Sequence, residues 1–298
     1  MTPDFSDAER RCAATLIDAA LDEDLAGRDD LTTSAVIPGE ARAEVNIVVR
    51  QPGVVAGLPI VPLLFARLDR AVEVELRSVD GEARRAGDVV AALRGGTRSL
   101  LIGERTALNF LTRLSGIATL TRAFVERIAG TQARILDTRK TLPGWRALEK
   151  YAVRCGGGVN HRFGLYDGVL IKDNHLAAWS AQRERPSLDD AVRRARAAAP
   201  RGVPIEVEVD TLDQLRAVLP AGPDMVLLDN MSPALLAAAV AIRNDVAPAV
   251  KLEASGGVTL DTVRAIAESG VDRISVGALT HSAPALDLAL DWASALRE

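Results

Sequence analysis

Five side chains between Asp137 and His175 can carry positive charge or donate hydrogen bonds: Arg139, Lys140, His161, Arg162 and Lys172. They lie in the stretch DTRKTLPGWRALEKYAVRCGGGVNHRFGLYDGVLIKDNH, where glycines let backbone approach a ligand. The chain as a whole has a formal net charge of -4, so this positive charge is local. A local cationic cluster suits a small, multiply anionic ligand, whereas nucleic acid would require a broad basic face.

A second set is acidic. Glu206, Glu208 and Asp210 alternate with Val207 and Val209, and Lys251, Glu253 and Ser255 share a face in the same way. Side chains alternate along a strand, so valines packed on outer helices send the carboxylates inward. Charges inside a barrel are costly unless paired or bound to something. For Glu206 and Glu253 two readings stand: function, or an internal ion-pair network with Lys172 or Lys251. Glu208 and Asp229 fall at strand ends, where barrel chemistry gathers, and are read as functional.

Positioning these groups requires strands and helices in a definite order. Ser6 and Glu9 form a capping box ahead of a helix whose apolar face carries Cys12, Leu16, Ala19 and Ala20. Residues 43–50 and 71–79 read as strands of a small, mostly antiparallel α+β unit reaching about Arg98. Two helices are expected at 99–114 and 117–129, separated by Gly116. Strands are then expected at 134–137, 168–172, 205–209, 225–229, 250–253 and 273–276. Helices between them are expected at 187–199, 211–219, 233–242 and 260–268. Repeated strand-then-helix units imply a parallel sheet with helices outside, here an incomplete barrel. The fold class is therefore α/β: an N-terminal α+β sandwich-like domain (1–114), then an incomplete parallel β/α barrel (115–282). A C-terminal helix at 283–298 is expected to pack back on the first domain, and residues 177–186 read as a loop excursion.

Other motifs carry two readings each. Arg105 reads as a solvated surface arginine when taken alone. His175 either caps a helix or serves catalysis, and His281 reads as a cap that can touch ligand. Gly156–Gly158 is either a phosphate loop or a helix stop. Ser255, Gly256 and Gly257 follow a strand and precede a helix, a cradle for phosphate or an ordinary turn. Cys12 and Cys155 are far apart without metal-ligand spacing, which fits a reducing compartment. The N-terminus lacks an apolar targeting segment and no apolar run reaches membrane-spanning length, so a cytoplasmic, soluble protein is expected.

Taken together the motifs resemble the quinolinate phosphoribosyltransferase family of NAD biosynthesis. The resemblance rests on ERTALNFL (104–111), LSGIAT (114–119), the blocks at 137–153 and 156–175, EVEVD (206–210), LLDN (227–230), LEASGG (252–257) and ISVGALTHSAPALDLAL (274–290). It implies conversion of quinolinate and phosphoribosyl pyrophosphate to nicotinate mononucleotide, pyrophosphate and carbon dioxide, with Mg2+. It also implies a homodimer, in some members assembled further, whose barrel mouths are completed by the partner's N-terminal domain. Under the resemblance Arg105 (from the neighbouring subunit), Arg139, His161, Arg162 and Lys172 bind quinolinate. Lys140, Glu208, Asp229, Ser255, Gly256, Gly257 and Gly277 surround phosphoribosyl pyrophosphate, with His281 close by. Lys140, Lys172, Glu208 and Asp229 would be catalytic, and Glu208 and Asp229 would hold the metal directly or indirectly. Gln51 stands where family members often carry an acid, outside these motifs. Three other readings compete: a Schiff-base aldolase using Lys172, a non-catalytic anion-binding protein, and an enzyme for a different pyridine or azole acid.

Overall fold

A computed structural model describes residues 3–180 and 187–293. Contacts divide the chain into two compact units. The first comprises residues 1–122, 141–157 and 278–298; the second comprises 123–140 and 158–277. This spatial division departs from the linear one expected at residue 114: the helix Arg146–Cys155 and the C-terminal segment both belong to the first unit.

In the first unit the Ser6–Glu9 capping box starts the helix Asp7–Leu25, whose buried face is Glu9, Ala13 and Ile17. Cys12, Leu16 and Ala20 flank that face half-buried, and Ala19 is exposed. A four-stranded antiparallel sheet follows the spatial order Leu288–Trp292, Arg42–Val49, Val89–Gly96, Glu73–Leu76. The expected helix at 283–298 is therefore corrected: residues 288–292 form a strand, and 294–298 lie outside the described residues. LDLALDW alternates Leu288, Leu290 and Trp292 with more polar or smaller residues, the period of a strand rather than of a helix. Beside it, Val45, Ile47 and Val49 alternate into the core.

The two helices expected at 99–114 and 117–129 are one, Thr97–Arg127, which runs through Gly116. A Cβ on Gly116 would coincide with the Pro284 carbonyl oxygen and lie 3.0 Å from its carbon. This glycine marks a close approach of two backbones and not a helix break. Gly156 is explained in the same way. It caps the helix Arg146–Cys155, and a Cβ there would lie 2.5 Å from both Ala118 O and Thr121 Cβ. Of its two readings the helix stop is the one the structure supports.

The second unit is built on a six-stranded parallel sheet in the order Arg134–Leu136, Arg273–Ser275, Lys251–Ser255, Met225–Asp229, Ile205–Val209, Val169–Ile171. Its first and last strands do not pair with each other; Leu136 instead makes a single parallel bridge to Val159. The barrel is incomplete, as expected. Helices Leu188–Ala198, Leu212–Val218, Pro233–Val246 and Val263–Glu268 alternate with the strands. Ile205, Val207 and Val209 are fully buried on the helix-facing side, which leaves Glu206 and Glu208 on the inner side. The loop expected at 177–186 begins as the end of the helix Asp173–Ser180, and residues 181–186 lie outside the described residues. Among the described residues no helix is long and apolar enough to cross a membrane.

Candidate active site

Strand ends of the second unit carry most of the expected site. Asp137, just past the strand Arg134–Leu136, is fully buried. Its Oδ1 accepts from the His161 backbone N–H (2.9 Å) and its Oδ2 from Asn160 Nδ2 (2.6 Å). Arg139 and Lys140 follow it on an exposed turn, with the Lys140 N–H donating to Thr138 Oγ1.

At the end of the strand Val169–Ile171, Lys172 pairs through Nζ with Glu208 at the end of its neighbouring strand. The Lys172 backbone N–H donates to His175 Nδ1 at 3.0 Å. That is the geometry of a helix N-cap closed by the third helical residue, which settles His175 as a structural cap here. Glu208 is in register with Leu227, so Asp229 is its diagonal neighbour on the same inner face.

Asp229, Asn230 and the glycine turn form one rigid corner. Asn230 has a left-handed backbone (φ 52°); its N–H donates to Ser255 O at 2.9 Å and its Nδ2 to Asp229 Oδ2 at 2.7 Å. Gly256 (φ +95°) packs so tightly that a Cβ would overlap Asn230 Oδ1, whereas Gly257 (φ +59°) faces open space. The cradle expected from a following helix is corrected: the helix starts only at Val263, so any anion here meets loop backbone and not a helix end. Gly277 lies in the turn two residues past the strand Arg273–Ser275. Arg105, exposed on the helix Thr97–Arg127, and His281, whose Nδ1 lies 2.6 Å from Ser282 Oγ, belong to the first unit.

The barrel interior holds a buried ion cluster. His161 Nε2 lies 3.1 Å from Glu206 Oε2 and 3.2 Å from Glu253 Oε1. Glu253 also accepts from Arg273 Nε (2.7 Å) and from Ser275 Oγ. This corrects the expected network: neither Lys172 nor Lys251 is the partner, because Lys172 turns to Glu208 and Lys251 is exposed at the strand start. Arg273 and Ser275 were not singled out from the sequence. The parity test that placed Glu206 inward finds them too, since they alternate with Ile274.

Burial by itself would lower the His161 pKa, but hydrogen bonds and charge from Glu206 and Glu253 outweigh it and raise it to about 9. Burial opposes ionisation of Glu253 as well, yet His161, Arg273 and Ser275 hold its carboxyl below the ordinary range. Glu206 is pushed up by burial and by the Glu253 charge, with His161 its main counterweight. Although the three side chains bring ligand atoms within 4.8 Å of one another, the Arg162 N–H donates to His161 Nδ1 at 2.7 Å. In the neutral ring the proton then sits on Nε2, facing the carboxylates; protonation of the ring as pH falls below about 9 gives up the Nδ1 bond, and Nε2 has no lone pair for a metal in either form.

A histidine charged in the fold contributes its full stability below about pH 6.5, and that contribution is lost as pH rises through about 9. His161→Asn is expected to flatten the alkaline fall in urea midpoint between those limits, a difference on the order of 2–3 kcal/mol. Parallel curves for the two proteins would remove His161 as its source.

Arg162 feels a different environment. Burial first, and the positive charge of Arg139 second, hold its guanidinium below the ordinary value, so the two arginines are near enough to repel. Its Nη1 donates to Gly168 O at 2.8 Å, and it lines a cavity of about 390 Å³ with His161, Glu206 and Arg273. Pro204, Met225 and Arg273 place this cavity at the strand starts, away from Lys172, Glu208 and Asp229.

Residues 30–115 match the family described as the quinolinate phosphoribosyl transferase N-terminal domain, and residues 117–291 match its C-terminal domain. The nicotinate-nucleotide pyrophosphorylase (carboxylating) of Mycobacterium leprae is 47% identical over 292 residues, covering 96% of this chain and 99% of that protein. A quinolinate phosphoribosyltransferase (decarboxylating) of Nicotiana tabacum is 38% identical over 92% of this chain and 81% of its own. The crystal structure of NadC from Streptococcus pyogenes superposes with a TM-score of 0.89 at 37% identity, over 98% of this chain and all of that one. With both halves matched and full-length relatives this similar, the chain belongs to the quinolinate phosphoribosyltransferase family.

Proposed function

We propose that this protein transfers the phosphoribosyl group of phosphoribosyl pyrophosphate to the ring nitrogen of quinolinate and releases carbon dioxide, giving nicotinate mononucleotide and pyrophosphate for NAD biosynthesis. What supports the charge argument is that the positive charge of Arg139, after burial, helps hold the Arg162 guanidinium below its ordinary value. Two guanidiniums within electrostatic reach of each other favour a dianion, and quinolinate is such a dianion. His161, beside Glu206, and Lys172, beside Glu208, are assigned to the same ligand on the family resemblance.

Lys140, the Ser255–Gly257 turn and Gly277 are assigned to the phosphates, where backbone N–H groups with left-handed glycines suit anion oxygens. Glu208 and Asp229 are assigned to the ribose hydroxyls and the developing positive charge at the anomeric carbon. Their carboxylate oxygens, diagonal on one inner face, are hard donors of the kind that hold Mg2+ together with substrate phosphates. When bound, Mg2+ would neutralise charge on the departing pyrophosphate.

The pyridine nitrogen supplies the electron pair for the new bond to the anomeric carbon, and pyrophosphate leaves with the electrons of the broken C–O bond. When the C2–carboxylate bond breaks, its electron pair stays on C2 as a carbanion that the adjacent cationic ring nitrogen stabilises. A proton then replaces carbon dioxide at that carbon, and Lys172 or Lys140 is assigned to hold the carboxylates and supply it. Arg105, exposed on its own chain, is assigned to the site of a neighbouring subunit in a cytoplasmic homodimer.

Nicotinate mononucleotide, followed by its ultraviolet absorbance with quinolinate, phosphoribosyl pyrophosphate and Mg2+, tests this reading. Product is expected only with all three, and Arg139→Ala is expected to lower kcat/KM for quinolinate at least about 100-fold. Tight quinolinate binding without product would overturn the reading in favour of a binding protein or an enzyme for another substrate.

A further inference from the structure

Buried inside the barrel, Glu206 and Glu253 face His161 from two strands, and nothing in the proposed chemistry uses them. We propose that they are positioning residues, fixing the orientation of the His161 ring beside Arg162 in the quinolinate-binding set. This rests on the proposed function, in which His161 touches quinolinate.

Four contacts hold the ring. Asp137 anchors its backbone N–H, the Arg162 N–H meets Nδ1, and the two carboxylates converge on Nε2. The carboxylates are unequal. Glu253 is itself held by Arg273 and Ser275, which makes it a fixed post. Glu206 is 2% exposed, and its Oε1 is buried with no hydrogen-bond partner among the described residues. A carboxylate meant to knit the core together would be satisfied through both oxygens, as Glu253 is. One left half-satisfied in a buried place is costly, and its single strong contact is His161.

A purely structural role and a positioning role give different results. Removing one partner of a buried ion pair leaves the other charge uncompensated and costs stability under either role, so the substrate-specific KM is the readout that separates them. Glu206→Gln is expected to lower the thermal midpoint and to leave KM for phosphoribosyl pyrophosphate unchanged, while KM for quinolinate rises about tenfold. Because Glu206 acts through His161, the double variant Glu206→Gln/His161→Asn should be no worse in kcat/KM than His161→Asn alone, within about twofold. Ser275→Ala, which loosens Glu253 without removing a charge, should raise KM for quinolinate about two- to threefold with the same non-additivity; it gives a second reading should Glu206→Gln fail to fold.

An unchanged quinolinate KM in these variants of an active enzyme would overturn the proposal alone. So would losses that multiply onto His161→Asn. A wild-type protein that makes no nicotinate mononucleotide would overturn the functional reading, and this proposal with it.

Discussion

Lys172→Ala is expected to lower kcat by about a thousandfold while leaving the thermal midpoint nearly unchanged, a loss of charge stabilisation and proton supply on the scale of other such side chains. The two effects separate because of where the lysine sits. Its side chain is 43% exposed, and it meets Glu208 at the rim of the strand ends. Ion pairs of that exposure contribute about 0–1 kcal/mol to stability. In the reaction the same ammonium would face a carboxylate leaving as carbon dioxide and the carbanion left behind, with substrate in place of part of the water around it. There less solvent remains to replace the charge.

The backbone of Lys172 is fixed independently by His175, so truncating the side chain should not move the loop. Steady-state rates at saturating concentrations of both substrates, with unfolding followed in parallel, check this. Turnover within threefold of wild type would remove Lys172 from the chemistry and leave Lys140 as the proton source. A large fall in midpoint would instead mean that Glu208, with its side chain only 11% exposed, does not tolerate the loss of its cation.

Gly116→Ala is expected to destabilise the protein by about 2–4 kcal/mol, although the same change in an ordinary helix is stabilising by about 1 kcal/mol. The sign is decided by what the new methyl would meet. Besides overlapping Pro284 O, it would lie 3.1 Å from Ala285 Cα, and both are backbone that cannot rotate aside. The Leu286 N–H donates to Thr112 O at 3.0 Å, which pins that segment against the helix. Displacing it would loosen the lead into Leu288–Trp292, which pairs with Arg42–Val49 at the sheet edge. Urea midpoints for the two proteins measure the difference. A Gly116→Ala variant as stable as wild type would show that 284–286 yields, and that the glycine is not required by packing.

Local patterns were enough for the repeating part of this fold. Residues Ile205–Val209 and Met225–Asp229 read from the sequence with the bounds the structure gives them, the first because its apolar positions alternate and the second because it is a short apolar run, as strands of a covered parallel sheet are. Strand parity also turned Glu206, Glu208 and Glu253 inward, and spacing put Lys172, Glu208 and Asp229 at strand ends. The helix Thr97–Arg127 was misread as two because a glycine required by a contact with residue 284 looks, locally, like a glycine that ends a helix. The alternation of Leu288, Leu290 and Trp292 allows a strand in place of the expected helix, but so short a strand forms only on a partner, and that partner, Arg42–Val49, lies more than 200 residues earlier in the chain.

By itself, then, the sequence determined the class of fold, the cationic and acidic residue sets, and through its motifs the family. Each of these depends on residue types and on spacing within one or two turns or strands. Only the tertiary structure decided the pairings: His161 with Glu206 and Glu253, Lys172 with Glu208, Asp229 with Asn230 at the glycine turn. Which cation meets which carboxylate depends on distances between strands far apart in the chain. Charge is blind to sequence separation and falls off with distance through space, so that choice is made only once the barrel has closed its strands side by side.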